Sequence, residues 1–502
     1  MSNSKKITVM AFIMMILTSV FGVTNIGIGF YRMGYAAIPL FILGGIFFFI
    51  PFIMMMVEFG TGFKGRGDGI FFWMKESVSV KFAFYGIMMW YAAYVIWLFG
   101  KSFSIWVPLS FAIFGTDVTA GTITTGFQYL AGGSDAQAAY AGTDLMPLVL
   151  GLVGLGVVWG FSWVVMQGPS KLSKVASIGG IMVIILNFLL LGGGFLALVI
   201  NGEFAHPINM HEFLTSPNPA FQTTMPYLGF VVFAVFAYGG TEALAGISDR
   251  LENPERDLKK AIFGAGAFIV FCYVVGFLMA GAGTNWSDFP EGTSSMSSLF
   301  LMMERLGHTI TPNSDGLAEI LKRFSGFGMF CTFLGAFITL AYAPLTQLVD
   351  GSPKEVWPDS FQETNEVGIK TGALKTQAII VSILIIAKTV FALIDAETAN
   401  EIYELIITMT NVAMTIPYLF LIWAWFKFRG NDNLEKGIIL IKSKGMIVAC
   451  TIVTMFMVTF GNVFTIIDPL VSGNMNIFIW TVMGPILFSL LAFALIKKSN
   501  IK

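Results

Sequence analysis

Apolar runs of about 20 residues recur along the whole chain, and no other feature constrains its fold as strongly. A run of that length is what an α-helix needs to cross the hydrocarbon core of a bilayer. Twelve such runs are expected to span, at about 7–30, 35–59, 82–107, 145–166, 175–200, 225–249, 261–283, 324–349, 376–394, 401–426, 446–467 and 476–496. Only 12% of the 502 residues are charged, against about 25% in a typical soluble domain, which leaves no room for a large soluble domain. The fold class expected is an all-α integral membrane protein with 12 transmembrane helices.

The basic residues give the orientation. Arg32, Arg305, Lys322 and Arg323 fall in external segments if the N-terminus is inside, and Lys101 and Lys388 fall within spans. The remaining 23 of 29 Lys and Arg lie in segments that would then be cytoplasmic, the bias that orients membrane proteins. The expected location is the cell membrane, a bacterial inner membrane, with both termini cytoplasmic. A net charge of −1 offers no basic surface for nucleic acid. Cys272, Cys331 and Cys450 are far apart in apolar runs, so no disulfide framework and no metal site is indicated. No phosphate-cradling loop of the G-x-x-x-x-G-K-[ST] type is present, and no catalytic constellation is evident. No cofactor and no enzyme activity are expected. His206, His211 and His308 fall in external loops, where solvated side chains are the plain expectation.

Two spans are interrupted. The stretch Phe230 to Ile262 starts as an apolar helix, meets Gly239-Gly240, carries Glu242, and leaves into a dense charged run. A Gly-Gly pair and a carboxylate at bilayer depth are tolerable only where protein satisfies the freed backbone and the charge. In span 1, Gly22, Asn25, Gly27 and Gly29 interrupt what would be a continuous helix. If spans 1–5 and 6–10 form two halves, these breaks occupy matching places, the sequence pattern of a transporter binding site. Half-helix N-termini suit a carboxylate and half-helix C-termini an ammonium. A zwitterionic amino acid fits both ends. Glycines in spans also serve close helix packing, and that reading stays open.

Three motifs carry a resemblance to the amino acid–polyamine–organocation superfamily of transporters. Span 6 and its exit read F-A-Y-G-G-T-E at 236–242 and E-N-P-E-R at 252–256. The end of span 2 reads V-E-F-G at 57–60, followed by Asp68-Gly69 and Phe72. The exit of span 8 reads V-D-G-S-P at 349–353. The chain resembles the glutamate/γ-aminobutyrate antiporter branch, most of all its YjeM-type permeases. It departs from the pattern at Lys259, where the family has Pro, and at Thr24-Asn25-Ile26-Gly27, where the family has a Gly-Ser-Gly run.

The resemblance implies a leucine-transporter-type core with discontinuous helices 1 and 6. Its two inverted five-helix repeats would be 1–200 and 201–430, with 431–502 supplying spans 11 and 12. It implies a substrate carboxylate near the N–H groups of Gly22, Val23, Thr24, Asn25, Ile26 and Gly27. The substrate amino group would lie near carbonyls of Phe236, Ala237, Tyr238 and Gly239. Phe236 takes the place of the family's aromatic gate, and Glu242 that of its coupling carboxylate. Span 3 lines the pathway in this family, which makes Trp90 and Tyr94 gating candidates; they share a helix face with Trp97 and could equally pack the bundle.

The function expected is secondary active amino acid transport by alternating access, with glutamate/γ-aminobutyrate exchange as the branch-level reading. A proton-coupled symporter of another amino acid or amine, or a transport-dead sensor on the same fold, is the alternative. The partners expected are a small amino acid and the lipid bilayer, with the protein a monomer or homodimer. Glu58 reads as a helix-end acid facing loop basics such as Lys64. Asn25 reads as a substrate contact or a helix bridge, Arg32 as a snorkelling or vestibule residue, and Lys101 and Lys388 as snorkelling cations.

Overall fold

The computed structural model describes residues 20–63, 69–118, 145–240, 242, 254–291 and 293–499. The start of span 1 and the charged exit of span 6 at 243–253 lie outside the described residues. Among the described residues the architecture is all-helical, with one isolated bridge, Thr364 to Lys370. Ten helices among the described residues are long and apolar enough to cross a membrane.

Helix α1 is Val23–Met33. It ends at Gly34, whose φ of +54° is open to glycine but strained for other residues. The turn Gly34–Ala36 leads into α2, Ala37–Gly44. A π-turn, Gly45–Phe49, joins α2 to α3, Ile50–Gly62. Then come α4, Ile70–Ser77, α5, Val80–Ser104, and α6, Trp106–Phe114. Helices α7, Met146–Met166, α8, Pro169–Asn201, and α9, Thr224–Phe236, follow. After the break come α10, Pro254–Gly283, α11, Ser298–Ile310, and α12, Asp315–Gly351. The chain closes with α13, Thr371–Ile394, α14, Ala396–Gly430, α15, Lys444–Val471, and α16, Met475–Lys498.

Packing divides these helices into groups. Helices α5, α7, α12 and α13 share an apolar core built from Phe99, Phe103, Val158, Phe337, Val381 and Ile385. Helices α1, α2, α3, α9 and α10 meet in a second, aromatic core around Phe41, Phe48, Phe52, Phe230, Tyr273 and Phe277. Aromatic rings dominate here because edge and tilted contacts add to their large buried area; Phe41 touches Phe230, Tyr273 and Phe277 at centroid distances of 6.2, 4.7 and 5.0 Å.

Three local features depend on packing that the sequence pattern does not display. The Gly-rich segment after span 2 holds a helix, α4, because Ile70, Phe71, Trp73 and Met74 bury against the bundle and the Gln347 side chain accepts the first N–H, from Ile70, at 3.2 Å. His206 is not solvated: it is 5% exposed, packed edge-on against Phe30 and 3.3 Å from Glu212. Tyr35 donates to its carbonyl, so the external segment after α8 is fastened onto the start of the bundle. Arg32 is partly accessible and held by its neighbours. Its guanidinium sits over Phe221 and Phe233, and its Nε donates to Ser295 Oγ at 3.2 Å.

Glu58 is 1% exposed and acts as a clamp. Its Oε1 accepts the N–H groups of Leu440 and Ile441 at 2.7 and 2.9 Å. Its Oε2 accepts from Trp425 Nε1 at 3.0 Å and lies 3.5 Å from Arg429 Nη1. Arg429 in turn donates to the Ile441 carbonyl, and Ile438 N–H donates to Thr61 Oγ1. The expected partner, Lys64, lies outside the described residues; the partners described are all from 425–441. One carboxylate therefore ties α3 to α14 and to the connection entering α15. Lys436 in this connection is pushed below its ordinary value by partial burial and then by the charge of Arg429. Truncating Glu58 leaves Arg429 buried without its counter-charge, which costs about 3–5 kcal/mol. Glu58→Ala is therefore expected to lower the thermal unfolding midpoint of the detergent-purified protein markedly, whereas Glu435→Ala on the same connection, whose side chain takes no part in the clamp, leaves it near wild type.

Candidate substrate site at the two helix breaks

The start of α1 and the end of α9 meet at one hydroxyl. Tyr273, from the middle of α10, accepts the Gly22 N–H at 3.3 Å and the Asn25 Nδ2 at 3.0 Å. The same oxygen lies 3.4 Å from the Ala237 carbonyl and 3.5 Å from that of Val20, either of which can take its proton. A helix start leaves N–H groups without intrahelical partners, and a helix end leaves carbonyls. In a medium without water these groups must find partners. Tyr273 supplies one to each break at once.

The residues expected around the first break separate by what they touch. Gly22, Thr24 and Asn25 are partly accessible, whereas Val23 and Ile26 are buried in the aromatic core. Gly27 is a packing glycine: a methyl there would come 2.8 Å from Leu299 Cα on α11. Around the second break, α9 ends at Phe236 and the chain turns, with Gly239 N–H donating to the Phe236 carbonyl at 3.0 Å. Tyr238 turns away from the break. Its ring stacks on Phe49 at 4.9 Å, and its hydroxyl donates to the Phe41 carbonyl at 2.8 Å, which pins the break to α2.

Glu242 lies just beyond the turn that ends α9. It is 4% exposed. One carboxylate oxygen accepts the Gly240 N–H at 3.1 Å, and the other accepts Tyr418 Oη from α14 at 3.2 Å. The turn needs Gly240, whose φ is +111°, a region closed to residues with a Cβ. Gly239 lets Tyr418 approach; a Cβ there would meet the hydroxyl at 2.8 Å. Phe236 lies face to face with Tyr418 at 6.3 Å and edge-on to Phe48 at 6.3 Å. Tyr94 on α5 lies within electrostatic range of Glu242 and Tyr418. Trp90 packs edge-on against Tyr94 at 4.9 Å and is itself buried.

The structure thus brings Gly22 and Asn25 together with Ala237, and Glu242 together with Phe236 and Tyr94. It places Val23, Ile26, Gly27 and the Tyr238 ring in the packing around the breaks. Lys101 lies over the rings of Trp97 and Phe333 at 5.6 and 4.3 Å. Lys388 lies over Phe103 and Tyr403 at 4.0 and 4.1 Å. Sequence reasoning missed Tyr273 and Tyr418. The available signal was a phenol inside an apolar span, because a buried tyrosine hydroxyl seeks a hydrogen-bond partner. Among the described residues no group of three or more His, Cys, Asp or Glu converges. What this geometry presents is backbone ends, phenols and one carboxylate.

The described residues form a bundle of apolar helices whose central polar groups are helix ends, phenols and one carboxylate. Residues 7–488 match the amino acid permease family model, and the chain belongs to that family, within the superfamily its motifs resemble. It is 36% identical over 98% of its length to the inner membrane transporter YjeM of Salmonella typhimurium, covering 96% of that protein. It is 20% identical to the aspartate/glutamate permease AcaP of Lactococcus lactis, over 85% of the chain and 80% of the relative. It is 21% identical to a glutamate/gamma-aminobutyrate antiporter of the same species, over 68% and 61% respectively. The protein is a multi-pass inner-membrane transporter and not an enzyme.

Replacing Tyr273 by Phe keeps the ring packing and removes only the shared oxygen. The Gly22 N–H and the Asn25 amide then lose a partner, at a cost of about 1–3 kcal/mol. Tyr273→Phe is expected to lower the thermal midpoint and to weaken substrate binding, both measurable on the purified protein by ligand-induced thermal shift.

Proposed function

We propose that this protein is a secondary active amino acid transporter working by alternating access, with its substrate held between the two helix breaks. The observation that carries this reading is the single Tyr273 hydroxyl in contact with both breaks. The proposed pose sets the substrate carboxylate at the N–H groups of the first turn of α1, beside Thr24 and Asn25. The amino group then sits at the carbonyl end of α9, near Phe236 and Ala237. Phe236 closes the site from one side against Tyr418 and Phe48. Glu242 is the proposed coupling carboxylate, because its two oxygens hold both a backbone N–H of the break and a phenol of α14. A proton arriving on Glu242 would weaken the acceptor side of both bonds and release α14 from the break. Trp90 and Tyr94 form the wall contributed by α5.

The finer architecture belongs to the same proposal. Twelve spans would comprise inverted repeats 1–200 and 201–430 with 431–502 appended. Motion would be a rocking of the aromatic core group, α1 to α3 with α9 and α10, against the group built on α5, α7, α12 and α13. The printed activities of the two Lactococcus lactis relatives favour acidic amino acids and γ-aminobutyrate as first substrates to test.

The test is exchange in proteoliposomes loaded with unlabelled amino acid and supplied with labelled glutamate, then with each other amino acid and γ-aminobutyrate. Wild type is expected to exchange at least one of them. Glu242→Gln should abolish the dependence of uptake on an imposed pH gradient. Phe236→Ala should weaken apparent substrate affinity about tenfold, the equivalent of losing one good aromatic contact. Wild-type behaviour of both variants would remove the site assignment. No exchange of any amino acid by folded protein would favour the transport-inactive sensor.

A further inference from the structure

Away from both helix breaks, α5, α14 and α16 enclose a groove on the lipid-facing side of the bundle. Its volume is about 580 Å³, within the usual range of about 300–1,000 Å³ for small-molecule sites. Its walls include Tyr85 and Met89 of α5, Ile416 of α14, and Pro485, Ser489 and Phe493 of α16. From Pro485 to Phe493 it extends about 12 Å along the helix axis. The groove has a structural origin. Gly484 brings α16 against the backbone of α14 at Met409, and Ser489 Oγ meets Met89 Sδ at 4.0 Å across the floor. Ile416 lies about two turns from Met409 toward the basic end of α14. There the three helices leave the groove between them, next to exposed Leu490 and Phe493.

The groove does not end in apolar surface. Lys81 lies one turn before Tyr85 on the same face of α5, and Lys497 lies one turn beyond Phe493 on the same face of α16. Both are exposed, as is Lys498, and none of the three is in an ion pair among the described residues. The neighbouring turn Lys354–Val356 packs near α16 and adds Lys354 with one opposing acid, Glu355. The Tyr85 hydroxyl, between groove and lysines, has no hydrogen-bond partner among the described residues. An apolar slot in the bilayer, a phenol at its mouth, and two cations one turn further on match the build of a phospholipid from chain to headgroup.

We propose that this groove binds an anionic phospholipid, with an acyl chain between Met89 and Phe493 and the phosphate held by Lys81 and Lys497. The charge excess at the mouth selects an anionic headgroup over a zwitterionic one. By filling the space where α5, α14 and α16 separate, the lipid would brace α14, the helix that carries Tyr418, against the rest of the bundle.

The experiment is a thermal-shift titration of the full-length, detergent-purified protein with dioleoylphosphatidylglycerol and, separately, dioleoylphosphatidylcholine. Wild type is expected to show a larger and tighter response to phosphatidylglycerol. Lys81→Gln combined with Lys497→Gln should weaken that response about thirtyfold, in line with about 1 kcal/mol for each lysine near an anionic surface, and leave the phosphatidylcholine response unchanged. Lys171→Gln combined with Lys174→Gln, at the start of α8, should leave both responses at wild-type values. Ser489→Trp, which fills the groove, should reduce the response to both lipids. Equal responses of wild type to the two lipids would overturn the proposal. So would equal effects of the two lysine pairs, or a Ser489→Trp variant that responds like wild type. If Ser489→Trp instead converts a dimer to a monomer in size-exclusion chromatography without changing lipid response, the groove is an interface between copies and the proposal fails.

Discussion

A backbone N–H or carbonyl with no partner costs several kcal/mol in hydrocarbon, and the centre of this protein is arranged around that constraint. Helix α1 begins and α9 ends inside an apolar bundle, and each terminus frees polar groups. Tyr273 partners Gly22, Asn25 and Ala237 through one oxygen. Glu242 partners Gly240 and Tyr418. Tyr238 fastens the same turn to α2. Each of these side chains comes from, or reaches to, a different helix. The polar centre is therefore held by the packing of α2, α10 and α14 rather than by the broken segments themselves.

The same logic recurs at the basic end of the molecule. Glu58 takes two backbone N–H groups, an indole N–H and a guanidinium, and so converts a buried charge into a fastening for the connection into α15. The two polar centres differ in one physical respect. Glu58 has a counter-charge in Arg429 and a full set of donors, which suits a fixed joint. Glu242 has neutral partners only among the described residues, which suits a group that changes its proton occupancy. That contrast is why the proposed coupling role is assigned to Glu242 and a structural one to Glu58.

Much of this was legible in the sequence, and the reasons are physical. Bilayer thickness fixes span length, so apolar runs such as 145–166 and 376–394 announce α7 and α13 closely. Gly239-Gly240 with Glu242 violates the rules for a span so plainly that the break is visible without a structure. What was not legible depends on partners distant in the chain. Nothing local to Glu58 says that it meets residues 425–441. Gly27 resembled a break residue because a packing glycine and a break glycine look alike until Leu299 is seen beside it. His206 sat in a polar loop, yet burial followed from Phe30 and Tyr35, about 170 residues earlier. Tyr273 was hidden in an apolar run whose only unusual feature was one hydroxyl.

The central claim is that the two breaks form one binding site. The most direct measurement is an electron cryo-microscopy structure of the protein in nanodiscs with a transported amino acid bound. The account predicts density between the first turn of α1 and the end of α9, the carboxylate beside Thr24 and Asn25 and the amino group facing Phe236 and Ala237. Amino acid density elsewhere, for example against Trp97 and Lys101 on α5 with both breaks empty, would contradict it.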